Sequence, residues 1–201
     1  NELKLKSKFS VVNGFSGTVN RKGLDMLMSN PKVKKVYRNR PVQAFLSDSK
    51  NIVNASKAWS LIYNGTNLTG KGETVCVIDT GVDYTHPDMG NCAATTNINN
   101  GNCSKVIGGY DFINNDENPI DDHGHGTHVA GIVASTDSTY RGIAPNASII
   151  AIKVCNSTGS CGNADMVSGI DWCVNNASRF NISVISISLG GGLSSSYCDG
   201  S

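Results

Sequence analysis

The sequence predicts an α/β protein with a mostly parallel sheet. Three apolar, β-branched runs of strand length lie at residues 74–81, 148–154 and 183–188. Two runs at helical spacing, residues 126–135 and 163–174, separate them. Strand, helix, strand, helix, strand is the order of βαβ units, whose strands run parallel under covering helices. The first 45 residues follow a different pattern, two short β-like runs and a short helix, and predict a separate small α+β unit.

Within that small unit, the β-like runs fall in residues 8–19, around Gly14 and Gly17. Residues 23–28 (Gly-Leu-Asp-Met-Leu-Met) predict a helix that Pro31 ends. Residues 33–42 alternate apolar with basic side chains, which suits an exposed strand. A polar connection without periodicity occupies residues 44–53. Residues 54–63 then predict a helix with Trp59 and Ile62 facing inward, and residues 65–73 a turn-rich approach. The run Thr-Val-Cys-Val-Ile-Asp-Thr-Gly at 74–81 has the near-continuous hydrophobicity of a parallel strand buried on both faces. It leaves Asp79 at the C-terminal end of the strand, where open α/β sheets place their sites. Residues 90–118 form a long Asn- and Gly-rich loop broken by a strand at 106–110. Val129, Ile132 and Val133 predict a buried helix that begins near Gly126. After the strand at 148–154, the helix over 163–174 carries Met166, Val167, Ile170 and Val174 on one face.

A formal net charge of +1 argues against a dedicated nucleic-acid binder. That sum hides an asymmetry. Residues 1–50 hold eleven Lys or Arg and three acids, whereas residues 51–201 hold six and thirteen, which suggests two units with different tasks. No apolar run approaches membrane-spanning length, so no membrane partner is expected. Neither an initiating Met nor a signal peptide is present, so a targeting segment has been removed or was not included. Seven cysteines favour an oxidising compartment, and hence a secreted or extracellular protein. Eight Asn-x-Ser/Thr sequons accord with this but add little in an Asn-rich chain. The short polar loops that they close predict disulfides Cys92–Cys103 and Cys155–Cys161, with Cys173–Cys198 as a third. Cys76, mid-strand between Val75 and Val77, is then an inert buried thiol.

The chemistry concentrates in Asp122-His123-Gly124-His125-Gly126-Thr127-His128. A loop histidine that merely packs or caps does not explain glycine on both sides of His125; a histidine that must meet a substrate needs close backbone approach, which glycine permits. An acid beside such a histidine makes half of a charge-oriented base: the carboxylate holds the imidazole tautomer, and the imidazole takes a proton from a nucleophile. Asp79 is the acid that fits. His128, inside the helix, reads as structural, and His86, before Pro87, as a turn residue.

Val77-Ile78-Asp79-Thr80-Gly81 and His125-Gly126-Thr127-His128-Val129-Ala130-Gly131 resemble the aspartate and histidine motifs of the subtilisin-like serine peptidases. Ser188-Leu189-Gly190-Gly191 resembles the segment lining their substrate cleft. The resemblance implies a three-layer subtilisin-like fold with a mostly parallel sheet, preceded by a small α+β propeptide unit. Residues 1–46 then correspond to a partial propeptide and residues 47–201 to the N-terminal part of a catalytic domain, a chain truncated at both ends. The implied activity is serine endopeptidase, made as a zymogen and acting on protein or peptide substrates, with the propeptide as a second partner. Asp79 would orient His125, the general base and then acid. His123 would adjoin the cleft, and Gly159, Ser160, Ser188, Leu189 and Gly190 would pair with extended peptide, a recognition of main chain rather than sequence. The reaction requires no cofactor. Calcium is left open at Asp88, which matches a family position that often ligates it, although the loop at 135–141 looks short for six or more oxygen ligands. The family's Gly-Thr-Ser nucleophile motif and its oxyanion Asn are absent from the 201 residues, so this chain alone is expected to be inactive. Two other readings stay open: a non-catalytic peptide-binding protein of the same fold, and a thiol or metal protein using Cys92, Cys103, Cys155 and Cys161.

Overall fold

The chain opens with an antiparallel hairpin, β1 (Leu3–Lys8) and β2 (Phe15–Val19), followed by α1 (Arg21–Ser29). The structure, a computed structural model, describes residues 2–39, the backbone of 41–44, and residues 55–93 and 97–191. Cys198, the expected partner of Cys173, lies outside the described residues. The hairpin starts earlier than expected, because Leu-Lys-Leu-Lys-Ser-Lys is itself an alternating strand. The helix also starts earlier: the Asn20 side chain accepts the Gly23 N–H at 2.8 Å and caps it at Arg21. Residues 33–39 form no strand despite their alternation, and only β3 (Pro41–Ala44) is extended and paired. Alternation supplies a strand pattern, but a strand persists only where a neighbour completes its backbone hydrogen bonds.

The expected helix over 54–63 is cut to α2 (Ala55–Trp59). A small hairpin, β4 (Ile62–Tyr63) and β5 (Thr66–Asn67), takes its place. Asn64 and Gly65 both have positive φ, 47° and 77°, the Asn-Gly signal of a two-residue hairpin turn. Ile62 is consequently exposed rather than inward, while Trp59 is partly buried and donates its indole N–H to the Ile143 carbonyl at 2.8 Å.

The central sheet comprises β6 (Thr74–Asp79), β7 (Val106–Asp111), β8 (Ser148–Lys153) and, after three intervening elements, β10 (Ile182–Ile187). Those elements are β9 (Cys161–Gly162), α4 (Asn163–Asn175) and α5 (Ala177–Phe180); α3 (His125–Ala134) lies between β7 and β8. All four strands are parallel, in the order β10–β6–β8–β7. Every residue of β6 is buried, as its unbroken hydrophobicity requires.

Alternate residues of the sheet feed two cores. Val75, Val77, Ile149 and Ala151 pack with Val129, Ala130 and Ala134 of α3 on one face. Cys76, Ile78, Ile150 and Ile152 pack on the other, against Met166 and Ile170 of α4. Helix, sheet and helix give three layers. Val174, expected on the inner face of α4, is exposed. Cys76 is not a free thiol: it is bonded to Cys173 of α4, ninety-seven residues away, and so ties the central strand to its covering helix. The expected Cys92–Cys103 and Cys155–Cys161 bonds are both present. Loop-length reasoning favours local pairs, but here the sheet delivers Cys76 and the inner face of α4 delivers Cys173 to one core.

A second, three-stranded sheet joins distant parts of the chain. Antiparallel β3 lies between β9 and β11 (Leu189–Gly190). Pro41 pairs with Gly162, Val42 with Cys161, Gln43 with Gly190 and Ala44 with Leu189. The β1–β2 unit also touches α4: Lys6 pairs with Asp165, and Asp171 Oδ1 accepts the Ser10 N–H and Oγ–H and the Val11 N–H at 2.7–2.8 Å.

Candidate active site

β6 stands where the sheet order divides, with β8 on one side and β10 on the other. Such a switch point opens a crevice at the carboxyl ends of the strands, and Asp79 is the last residue of β6. His125 is the first residue of α3, the helix packed on that strand. Its Nδ1 lies 2.8 Å from Asp79 Oδ1. An ionised carboxylate only accepts hydrogen bonds, so Nδ1 carries the proton and Nε2 presents its lone pair. Nε2 is buried and has no hydrogen-bond partner among the described residues, and the same holds for Asp79 Oδ2. Burial pushes the Asp79 carboxyl above its ordinary value, against the pull of the His125 contact and of the Thr80 N–H at 2.7 Å. The arrangement can take a proton at Nε2 and stabilise the imidazolium that results.

Glycine at 126 is required by this closeness. A Cβ there would stand 2.1 Å from the Gly81 carbonyl oxygen and 3.1 Å from Asp79 Cβ. Of the other expected residues, His123 and Gly159 lie beside the pair, and Ser188 follows the strand that runs along β6. The ring of exposed His123 lies 6.4 Å from that of His125, edge to face. It rests on buried Gly159, where a Cβ would come within 2.9 Å of His123 Nε2. Ser160 follows, and its loop is stapled by Cys155–Cys161 and by Asn156, whose Oδ1 accepts the Thr158 and Ser160 N–H groups at 3.0 and 3.1 Å. Ser188 precedes β11, and Leu189 and Gly190 pair with β3 from the opposite side. His128 points outward from α3. Asp88 does not join this group. It sits in a 3-10 turn (Pro87–Met89) capped by His86, and its carbonyl faces Thr136. Among the described residues there is no cluster of three His, Cys, Asp or Glu side chains suited to a metal ion.

Three residues, Thr80, Asp121 and Lys153, were given no role in the sequence. Asp121 accepts hydrogen bonds from Thr80, His123, Gly124 and Thr127. Burial alone would raise its pKa, but the Thr127, Gly124 and His123 donors outweigh burial and hold it below the usual carboxylate value. Lys153, buried at the end of β8, donates to the Thr80 carbonyl at 2.7 Å and to Asp122 at 2.5 Å. Two signals were available: an acid two and three residues before a loop turn that ends in a left-handed glycine, Gly124 at φ 96°, and a lysine closing an otherwise apolar strand.

A parallel sheet with an Asp–His pair at its switch point, covered by helices on both faces, defines a subtilisin-like fold. Residues 70–200 match the Subtilase family, Peptidase_S8, and the chain belongs to that family. It is 41% identical to "Serine protease AprX" of Bacillus subtilis (strain 168) over 200 residues, covering 94% of this chain and 40% of that protein. It is 33% identical to "Subtilisin E" of the same organism, over 94% of this chain and 45% of the relative. A crystal structure of a cold adapted subtilisin-like serine proteinase matches with a TM-score of 0.50 at 34% identity, covering 68% of this chain and 44% of the other. The chain thus spans less than half the length of these relatives. No helix among the described residues is long and apolar enough to cross a membrane.

Proposed function

We propose that the chain comprises a propeptide tail, residues 1–46, and the N-terminal part of the catalytic domain, residues 47–201, of a secreted serine endopeptidase made as a zymogen. The observation that carries this reading is the His125–Asp79 contact at 2.8 Å, with Nε2 left without a partner among the described residues. In the reaction, His125 Nε2 removes the proton of a serine hydroxyl as its oxygen attacks the scissile carbonyl. Asp79 keeps Nδ1 protonated and stabilises the imidazolium. His125 then gives the proton to the leaving amine. The serine belongs to sequence outside these 201 residues in this reading. Substrate lies extended between the segments of Gly159–Ser160 and Ser188–Gly190 and pairs through its backbone. His123, over Gly159, borders the substrate residue next to the scissile bond.

Strand β3 supports the zymogen part, since an internal segment paired on both sides occupies the groove that a substrate would use. The contacts of Asp165 and Asp171 with Lys6, Ser10 and Val11 support docking of the basic unit on the acidic one. The test uses the enzyme extended to the length of its relatives. Residues 1–46, added in trans, should inhibit hydrolysis of a chromogenic peptide competitively, and less at high salt. Inhibition that is absent at every concentration, with a longer N-terminal peptide also inert, refutes the propeptide assignment. A full-length protein that binds extended peptides but never cleaves them would establish the peptide-binding alternative.

A further inference from the structure

Thr80, the residue after Asp79, is completely buried and held from two sides by opposite charges. Asp121 Oδ1 accepts its hydroxyl proton at 2.8 Å, and Lys153 Nζ donates to its carbonyl at 2.7 Å. The hydroxyl oxygen in turn accepts the Gly126 N–H at 2.8 Å. Asp121 spends its remaining capacity on the same neighbourhood. Oδ1 also accepts the His123 and Gly124 N–H groups at 2.9 Å, and Oδ2 accepts the Thr127 N–H at 2.9 Å and its hydroxyl at 2.6 Å. Lys153 sits directly across from Asp79 in the β6–β8 register.

We propose that Asp121 and Lys153 are positioning residues that clamp Thr80 and thereby fix the Asp79 carboxylate against His125 Nδ1. Two physical needs point to this. Asp79 is the last residue of β6, and its carbonyl still accepts the Val154 N–H at 2.9 Å; past that point, the clamp on Thr80 anchors the chain where it leaves the sheet. His125 opens α3, whose first N–H groups lack intrahelical acceptors, and the preceding Gly124 offers no side-chain cap. Thr80 and Asp121 accept the Gly126 and Thr127 N–H groups instead. One connected set of bonds thus ends the strand that carries the acid and starts the helix that carries the base. A 2.8 Å hydrogen bond between elements held this way has little freedom to lengthen. Lys153 is required on the other side because Asp121 alone would pull the Thr80 hydroxyl without fixing the direction of its peptide. The inference rests on reading Asp79 and His125 as the orienting acid and base of a peptidase, but its first readout needs no peptidase activity.

The test compares Thr80→Val, Asp121→Asn and Lys153→Met with wild type, with Thr80→Ser as the conservative variant that keeps the hydroxyl. In the isotope-labelled 201-residue chain, nuclear magnetic resonance follows the His125 Nδ1 proton, which a carboxylate partner shifts downfield and protects from exchange. We expect Thr80→Val and Asp121→Asn to lose that signal or to exchange it about tenfold faster or more, Lys153→Met to do so to a smaller degree, and Thr80→Ser to restore it. In the full-length enzyme the same variants should lower kcat about tenfold or more with KM within about twofold, the pattern of misplaced catalytic geometry. Variants that fold and keep both the wild-type His125 signal and kcat, with only their melting temperature lowered, overturn the proposal, because the network is then a structural staple. Should Thr80→Val fail to fold, Thr80→Ala and Asp121→Asn carry the same decision. A His125 signal that responds in a full-length protein without hydrolysis keeps the clamp and refutes the peptidase reading.

Discussion

Replacing Gly126 by alanine should separate the acid from the base. The added Cβ would lie 2.1 Å from the Gly81 carbonyl oxygen, where ordinary van der Waals contact begins at 3.4 Å. The obstacle is backbone, and Gly81 is itself fixed at a φ of 104° in the turn beneath Asp79, so the start of α3 must retreat by about an ångström. The His125 Nδ1–Asp79 Oδ1 contact, now 2.8 Å, would stretch past hydrogen-bonding range. Overpacking of this kind costs about 1–3 kcal/mol, and a lost bond to a charged group adds about 1.5–3 kcal/mol. Gly131→Ala is the matched control in the same helix. Nothing lies within 4 Å of its added Cβ, so the higher helix propensity of alanine should stabilise by up to about 1 kcal/mol. Urea unfolding of the two variants, with the His125 Nδ1 proton followed in the folded state, separates site from helix. A Gly126→Ala protein within about 0.5 kcal/mol of wild type, with its His125 signal intact, would refute the close-approach argument.

Converting Cys76 and Cys173 to alanine should cost about 2–5 kcal/mol, because the bond closes a segment of ninety-seven residues; peptide mapping without reduction that links Cys173 to Cys198 instead would contradict the pairing. Burial lowers Lys105 from 10.5 to about 8, its ammonium donating to the Pro145 and Ala147 carbonyls. Between these values the unfolded chain binds the proton and the folded chain does not, so stability relative to Lys105→Met should rise with pH from about 8 to 10.5 and level off below 8; a difference independent of pH over that window refutes it. With no cluster of three His, Cys, Asp or Glu side chains among the described residues, a chelator should leave the melting temperature unchanged, and a drop reversed by calcium would restore the metal site at Asp88. Fluorophosphonate should label no serine of residues 1–201 at enzymatic rates, since neither the nucleophile motif nor the oxyanion Asn is present.

Strong periodicity made β6, β8, α3 and α4 readable, because an element buried on one or both faces must repeat its apolar residues at its own period. Asp79 and His125 were readable for a different reason: each stands at the end of such an element, and glycines mark the close approach. Long-range partnership was not readable. Cys76 and Cys173 meet because β6 and α4 share a core, and nothing local to either cysteine encodes the other. Spacing of Trp59 and Ile62 suggested a helix, while the Asn64-Gly65 turn that follows decided for a hairpin. Thr80, Asp121 and Lys153 were passed over because polar side chains beside a motif look like solvated loop or strand end until their burial is known.

The most direct test of the account is the hydrolysis of a chromogenic peptide by the full-length enzyme, compared with Asp79→Asn and His125→Ala. If Asp79 holds the tautomer that exposes the Nε2 lone pair, Asp79→Asn should lower kcat by about 10⁴-fold while substrate binding persists, and His125→Ala should lower it at least as far. A full-length protein that hydrolyses the peptide at an undiminished rate with either substitution would contradict the assignment of acid and base.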